Sequence, residues 1–226
     1  MSLFFNAPLP FIAGGAGGDP VEFTYRGFVS DTSNGPNYTF TVPSGVPSNC
    51  LMIVAAGHED CGEILSLTGG GYTWTLVARS GRTGTASNGD ECAIFAAEIT
   101  TPPSSVTLNN DNGGLRANAS FYSIINHSSA TPVSTDGNNS SNVTTRTATL
   151  NNLQGGDVMI AYTLQAEPGV ITYSGLTRDF NDTTTENNST FSSGSDYKTA
   201  GSNSQTITTT FDGGNDFMCI AAAAWR

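Results

Sequence analysis

Gly156-Asp-Val-Met-Ile-Ala-Tyr-Thr-Leu164 is a short apolar run rich in β-formers and opened by a Gly-Asp turn. Its length and bounding turn predict a buried strand. It has an earlier counterpart, Asn49-Cys-Leu-Met-Ile-Val-Ala-Ala56, and what flanks the two runs matches in order. Upstream lie Tyr38-Thr-Phe-Thr-Val42 and Arg146-Thr-Ala-Thr-Leu150, each followed by a turn. Downstream, Gly71–Val77 parallels Val170–Thr177, Glu91–Ala97 parallels Ser195–Ala200, and Ser105–Leu108 parallels Gln205–Phe211. Each half closes on a small-residue strand, Ala117–Ile124 and Met218–Trp225. Equivalent points stand roughly 100–107 residues apart, which predicts a duplicated β unit; two copies are too few for a solenoid.

Composition supports this reading. The 226 residues are rich in Thr, Ser, Asn and Gly, only 12% are charged, and no window shows the 3.6-residue helical period with caps. The chain is predicted to be all-β: an antiparallel β-sandwich of jelly-roll type made of two similar halves packed face to face. Residues 1–20 form an extended arm and linker. Residues 21–226 form the sandwich, with the internal repeat at about 38–125 and 145–226. The run Ala221–Ala224 is read as a strand whose small side chains allow close packing against another layer. The Ser-, Thr- and Asn-rich stretch 127–145 is expected to be a surface loop joining the halves, and 181–189 a second polar loop.

The formal net charge is −11, and the few Arg and Lys residues are scattered. Nucleic acid and anionic membranes are therefore not expected as partners. No basic residue precedes Arg26, so a secretory leader is not expected, nor is any stretch apolar enough to span a membrane. Sequons such as those at Asn118 and Asn142 then count as composition. Cys50, Cys61, Cys92 and Cys219 lack metal-ligand spacing and are read as reduced, buried thiols; a Cys50–Cys61 disulfide is the alternative considered.

The N-terminal arm carries Leu3, Phe4, Phe5, Leu9, Phe11 and Ile12, with prolines that prevent a helix, followed by the Gly-rich linker Ala13–Pro20. An exposed apolar segment on a flexible tether predicts docking to a partner subunit through residues 1–20, with homo-oligomerisation expected.

Catalytic chemistry is not expected. The two histidines, His58 and His127, sit in no nucleophile motif, and the candidate carboxylates Glu22, Glu91, Glu98 and Asp196 lie near strand ends. His58, Glu59, Asp60, Cys61 and Glu63 form the densest cluster of metal-capable groups, but their spacing fits no zinc pattern. Asn109–Gly114 and Phe211–Asp216 resemble calcium-binding runs, yet both fit tight turns better. The reading assigns no metal and no cofactor. Tyr72, Trp74, Tyr173 and Tyr197 are the aromatic candidates for stacking on sugar rings, weighed against core positions.

Leu51–Ala56, Gly71-Tyr-Thr-Trp-Thr-Leu-Val77 and Ala93-Ile-Phe-Ala-Ala-Glu-Ile99, echoed by the second half, resemble small jelly-roll β-sandwich virion proteins of tailed bacteriophages and gene transfer agent-like particles. The resemblance spans about residues 38–226 and rests on structural motifs. It implies an accessory role at a particle surface, as head spike, head fibre, decoration or tail-fibre component, assembled in the bacterial cytoplasm. Capsid, portal-vertex, spike or tail proteins would be its partners, and host polysaccharide a ligand. The alternative is a stand-alone carbohydrate-binding module.

Overall fold

The run that opens the sequence analysis becomes a strand with no exposed residue, Val158–Gln165. The computed structural model describes residues 20–33, 35–81, 89–184, 189–214 and 216–226. The residues expected to anchor the arm, Leu3, Phe4, Phe5, Leu9, Phe11 and Ile12, lie outside them.

The strands are, in chain order, β1 (Glu22–Asp31), β2 (Gly35–Thr41), β3 (Cys50–Cys61), β4 (Ile64–Thr68), β5 (Thr75–Gly81), β6 (Gly89–Ile99), β7 (Ser105–Gly114) and β8 (Arg116–Ile125). Then follow β9 (Ser134–Val143), β10 (Thr145–Leu150), β11 (Val158–Gln165), β12 (Ile171–Ser174), β13 (Thr177–Thr184), β14 (Ser189–Tyr197), β15 (Gln205–Phe211) and β16 (Asp216–Trp225). The first half forms a five-stranded sheet, β1-β8-β3-β6-β5, and a three-stranded sheet, β2-β7-β4. The second half forms β9-β16-β11-β14-β13 and β10-β15-β12. Adding eight to each strand number of the first half gives the second. The orders 1-8-3-6 and 2-7-4 are those of a jelly roll, with the fifth strand moved beside the sixth.

Each half is thus itself a sandwich, and the two large sheets pack on each other, giving four layers. Side-chain alternation sorts residues between cores, not between core and water. On β3, Leu51, Ile53 and Ala55 enter the central core, where they join Val158, Ile160, Tyr162 and Leu164 of β11. Met52, Val54 and Ala56 point the other way, into the outer core of the first half with Tyr38, Phe40 and Phe121. Met159 and Ala161 do the same in the second half. Strands buried on both faces read as continuous apolar runs for this reason. The halves are related by a pseudo-twofold in which β3 faces β11 and the edges β1 and β5 face β13 and β9.

Several sequence expectations need correction. The repeat begins one strand earlier in each half, at β1 and β9. The stretch 127–145 is not all loop: Ser134–Val143 is an edge strand paired with β16. Its residues are polar because it borrows backbone hydrogen bonds from a buried neighbour and needs little apolar surface of its own. Asn181–Thr184 likewise belongs to β13, and Asn109–Gly114 continues β7. The equivalent of Val170–Thr177 is β4, not Gly71–Val77, which is mostly the loop leading into β5. Cys50 and Cys61 are the first and last residues of β3, so roughly 35 Å of extended chain separates them and they cannot bridge.

Where β9 meets β5, Gly137 lies against the neighbouring backbone. An added Cβ would collide with the Arg79 carbonyl oxygen and stand 3.3 Å from the Ser80 Cβ. Gly137→Ala is expected to cost about 1–3 kcal/mol, because backbone cannot yield as a side-chain tip can. Urea denaturation would read this; an unchanged midpoint would mean that the two edges are free to separate.

Candidate functional site

The densest ionic cluster stands at one end of the first half's large sheet. Glu91, at the start of β6, is the cross-strand partner of His58 on β3. Both are buried. Glu91 Oε2 accepts a hydrogen bond from the Ile64 backbone N–H (2.6 Å) and lies 3.8 Å from His58 Nε2. Its other oxygen is 3.7 Å from Arg79 Nε, and Arg79 also pairs with Glu63. One strand along, Arg116 of β8 forms a buried ion pair with Glu59 of β3. The parity that places Met52, Val54 and Ala56 in the outer core places His58 there too. Among the described residues, neither of its ring nitrogens has a hydrogen-bond partner.

Among the described side chains, Glu59, Glu63 and Glu91 are each matched to a guanidinium, and Arg79 takes the place from which a cation would approach Glu91. Among the described residues, no group of three or more His, Cys, Asp or Glu side chains could hold a metal ion. His127, the other histidine, meets Glu98 at the surface at 3.4 Å. Among the described residues, neither histidine is hydrogen-bonded to a hydroxyl or thiol. The position equivalent to His58 is Gln165, paired with Thr190 and Met218 as His58 is with Glu91 and Ala117. Gln165 is also buried with both side-chain polar atoms unpartnered among the described residues.

The two calcium-like runs perform one structural task twice. Asp111 accepts the Glu63 N–H at 2.6 Å and donates its own N–H to the Glu63 carbonyl at 3.1 Å. Asp212 does the same with Val170, at 2.7 and 3.2 Å. Each carboxylate closes the chain crossing between sheets, which engages one of the oxygens a calcium ion would need.

A second polar cluster lies within the central core, between β8 and β13–β14. Asp179 Oδ2 accepts hydrogen bonds from Ser195 Oγ (2.6 Å) and Tyr122 Oη (3.0 Å). Burial raises its carboxyl above the usual range, while those two bonds pull it back. Ser120 and Ser193 share a hydrogen bond of 2.9 Å, and Tyr162 donates to the Asn118 carbonyl at 3.1 Å. The opposite side of the pseudo-twofold, between β6 and β16, is apolar, lined by Cys92, Ile94, Ala96, Cys219, Ala221 and Ala223. Sequence reading missed this asymmetry. The Ser-rich β14 against the Ala-rich β16 was the available signal.

The four aromatic candidates are not brought together. Tyr72 and Trp74 share the loop before β5, half-buried against the first half's outer core. Their polar atoms are tied down: Tyr72 Oη donates to the Thr101 carbonyl at 2.7 Å and Trp74 Nε1 to the Gly69 carbonyl at 3.2 Å. Tyr173 is half-buried in the second half, with its hydroxyl bonded to Ser192 and Thr163. Tyr197 is exposed at the β1 edge, its ring edge-on to Phe23 with centroids 4.7 Å apart.

Fold and site define a double jelly roll in which Glu59, Glu63 and Glu91 pair with Arg116 and Arg79. No protein-family model matches this chain, and no curated protein matches it.

Proposed function

We propose that the protein is a structural accessory subunit of a phage or phage-like particle, a head spike, head-fibre base, decoration or tail-fibre component. Residues 1–20 anchor it to a capsid, portal-vertex, spike or tail protein, and its loops contact host surface polysaccharide. On this reading it is an oligomeric, non-enzymatic component that uses no cofactor. The observation that carries the proposal is the exposed aromatic edge of β1, the strand that follows the apolar arm in the sequence. β1 is the edge strand of a central sheet and the first strand after residues 1–20 in the sequence. Along that edge Phe28 is 47% exposed and stacks on Phe180, and Tyr197 lies over Phe23. An apolar arm followed in the sequence by an exposed aromatic edge suits subunit docking, since an unprotected edge otherwise invites uncontrolled association.

Light scattering on the full-length protein and on a form starting at Val21 tests the reading. A defined oligomer that falls to monomer on truncation, or particle attachment lost with the arm, is expected. Equal masses and equal attachment would remove the anchoring role. Tyr72 and Trp74, on one loop with their polar atoms tied down and their rings half-buried, favour a carbohydrate-binding module as second reading. Sugar binding by the truncated form that quenches Trp74 emission, without any particle association of the full chain, would make that the better account.

A further inference from the structure

The central core holds two thiols that face each other. Cys92 lies on β6 of the first half and Cys219 on β16 of the second, both without solvent exposure and both in the apolar side of that core. β6 and β16 approach to within 8 Å, Cα to Cα. That is closer than the ~10 Å usual for sheets packed face to face. The reason is side-chain size: Ala221 and Ala223 flank Cys219 on the inward face of β16, and the residue paired with Cys92 on β3 is Gly57. Both thiols belong to the one buried cluster of the central core, and Cys92 is among the neighbours that act on the Cys219 thiol.

We propose that Cys92 and Cys219 form a redox pair whose oxidation joins their sulfur atoms in a disulfide across the central core, tying the first jelly roll to the second. The oxidant is a small disulfide such as glutathione disulfide. One cysteine thiolate attacks it, forming a mixed disulfide and releasing one glutathione thiolate. The second cysteine thiolate attacks the protein sulfur of the mixed disulfide and releases the other glutathione. Two protein thiols are oxidised, one glutathione disulfide is reduced to two thiols, and the two cysteine protons pass to the leaving thiolates. Burial pushes the Cys219 thiol well above its ordinary range, so the reactive thiolate is scarce while the core is closed. The bond therefore forms during folding or transient opening, and is slow to form and slow to break in the native protein. Such a bridge closes a long loop, which constrains the unfolded chain most effectively.

The sequence makes the test direct. Trypsin cleavage after Arg82, Arg116 and Lys198 puts Cys92 in residues 83–116 and Cys219 in residues 199–226. Cys50 and Cys61 both fall in residues 27–79, between Arg26 and Arg79. The full-length protein would be equilibrated with glutathione disulfide or with reduced glutathione, with and without mild urea, then alkylated and digested without reduction. The expected result is a cross-linked pair of 83–116 with 199–226 in the oxidised samples only, forming faster in mild urea. The oxidised form should unfold at higher denaturant concentration, and Cys92→Ser should abolish that shift. A Cys50→Ser/Cys61→Ser variant should lose two hydrogens in intact mass on oxidation. Recovery of both Cys92 and Cys219 alkylated after equilibration in mild urea would overturn the proposal. So would bridges distributed among all four cysteines. If the double serine variant fails to fold, the wild-type peptide map decides alone.

Discussion

Arg116→Leu is expected to lower the unfolding free energy by about 3–5 kcal/mol, the range for removing one partner of a buried ion pair. Arg116 is 3% exposed and Glu59 6%, on adjacent strands of the first half's large sheet. Without the guanidinium, the Glu59 carboxylate remains in a poorly solvated position and must stay charged at a cost or take up a proton. The double variant Glu59→Leu/Arg116→Leu should recover much of the loss, because no charge is then stranded. Urea unfolding of the two singles and the double forms a complete cycle. A loss in the single variant below about 1 kcal/mol would mean that water reaches this end of the sheet and screens the pair.

Trp225→Ala should lose a comparable amount, about 3–5 kcal/mol, from transfer and cavity terms together. Trp225 ends β16 opposite Val158, is fully buried in the central core, and donates its indole N–H to the Ala130 carbonyl at 3.1 Å. It therefore holds both the core and the connection between the halves. Around it, Ser128 donates its N–H to the Arg226 carbonyl at 2.6 Å, and Val133 to that of Ala224 at 2.8 Å. Arg226 in turn grips the buried Asp157 carboxylate with two bonds of 2.9 and 2.8 Å. Trp225→Phe keeps most of the ring contact and loses the donor, so it should fall between wild type and Trp225→Ala. Equal losses for Ala and Phe would show that the hydrogen bond to the connecting segment, not the packed ring, dominates.

The β-sandwich architecture was readable from the chain because its cause is local. Short apolar runs between turn residues, at Leu51–Ala56 and Val158–Leu164, can only be buried strands in a chain without helical periodicity. The Ala221–Ala224 run was legible too: small side chains on both faces serve a strand that has close neighbours on both sides, as β16 has. Three strands escaped notice for the same kind of reason. β4 is only Ile64–Thr68, β9 is almost wholly Ser, Thr, Asn and Gly, and β13 has Phe180 as its one apolar residue. A strand that is short or at an edge is held by its partner's backbone and leaves little hydrophobic signature of its own.

The candidate sites were much less legible. Glu59 and Glu91 stood in view as metal-capable or acidic residues, but their partners Arg116 and Arg79 come from other strands, and only pairing across the sheet made the cluster a closed set of ion pairs. The aromatic candidates scattered because neighbours in composition are not neighbours in the fold. Local chemistry along the chain specifies which segments become strands and that the unit occurs twice, since alternation and turn residues act over a few positions. Which of two cores a side chain enters, and that Cys92 meets Cys219, depend on the stacking of four layers about a pseudo-twofold, and that stacking exists only once distant strands have paired.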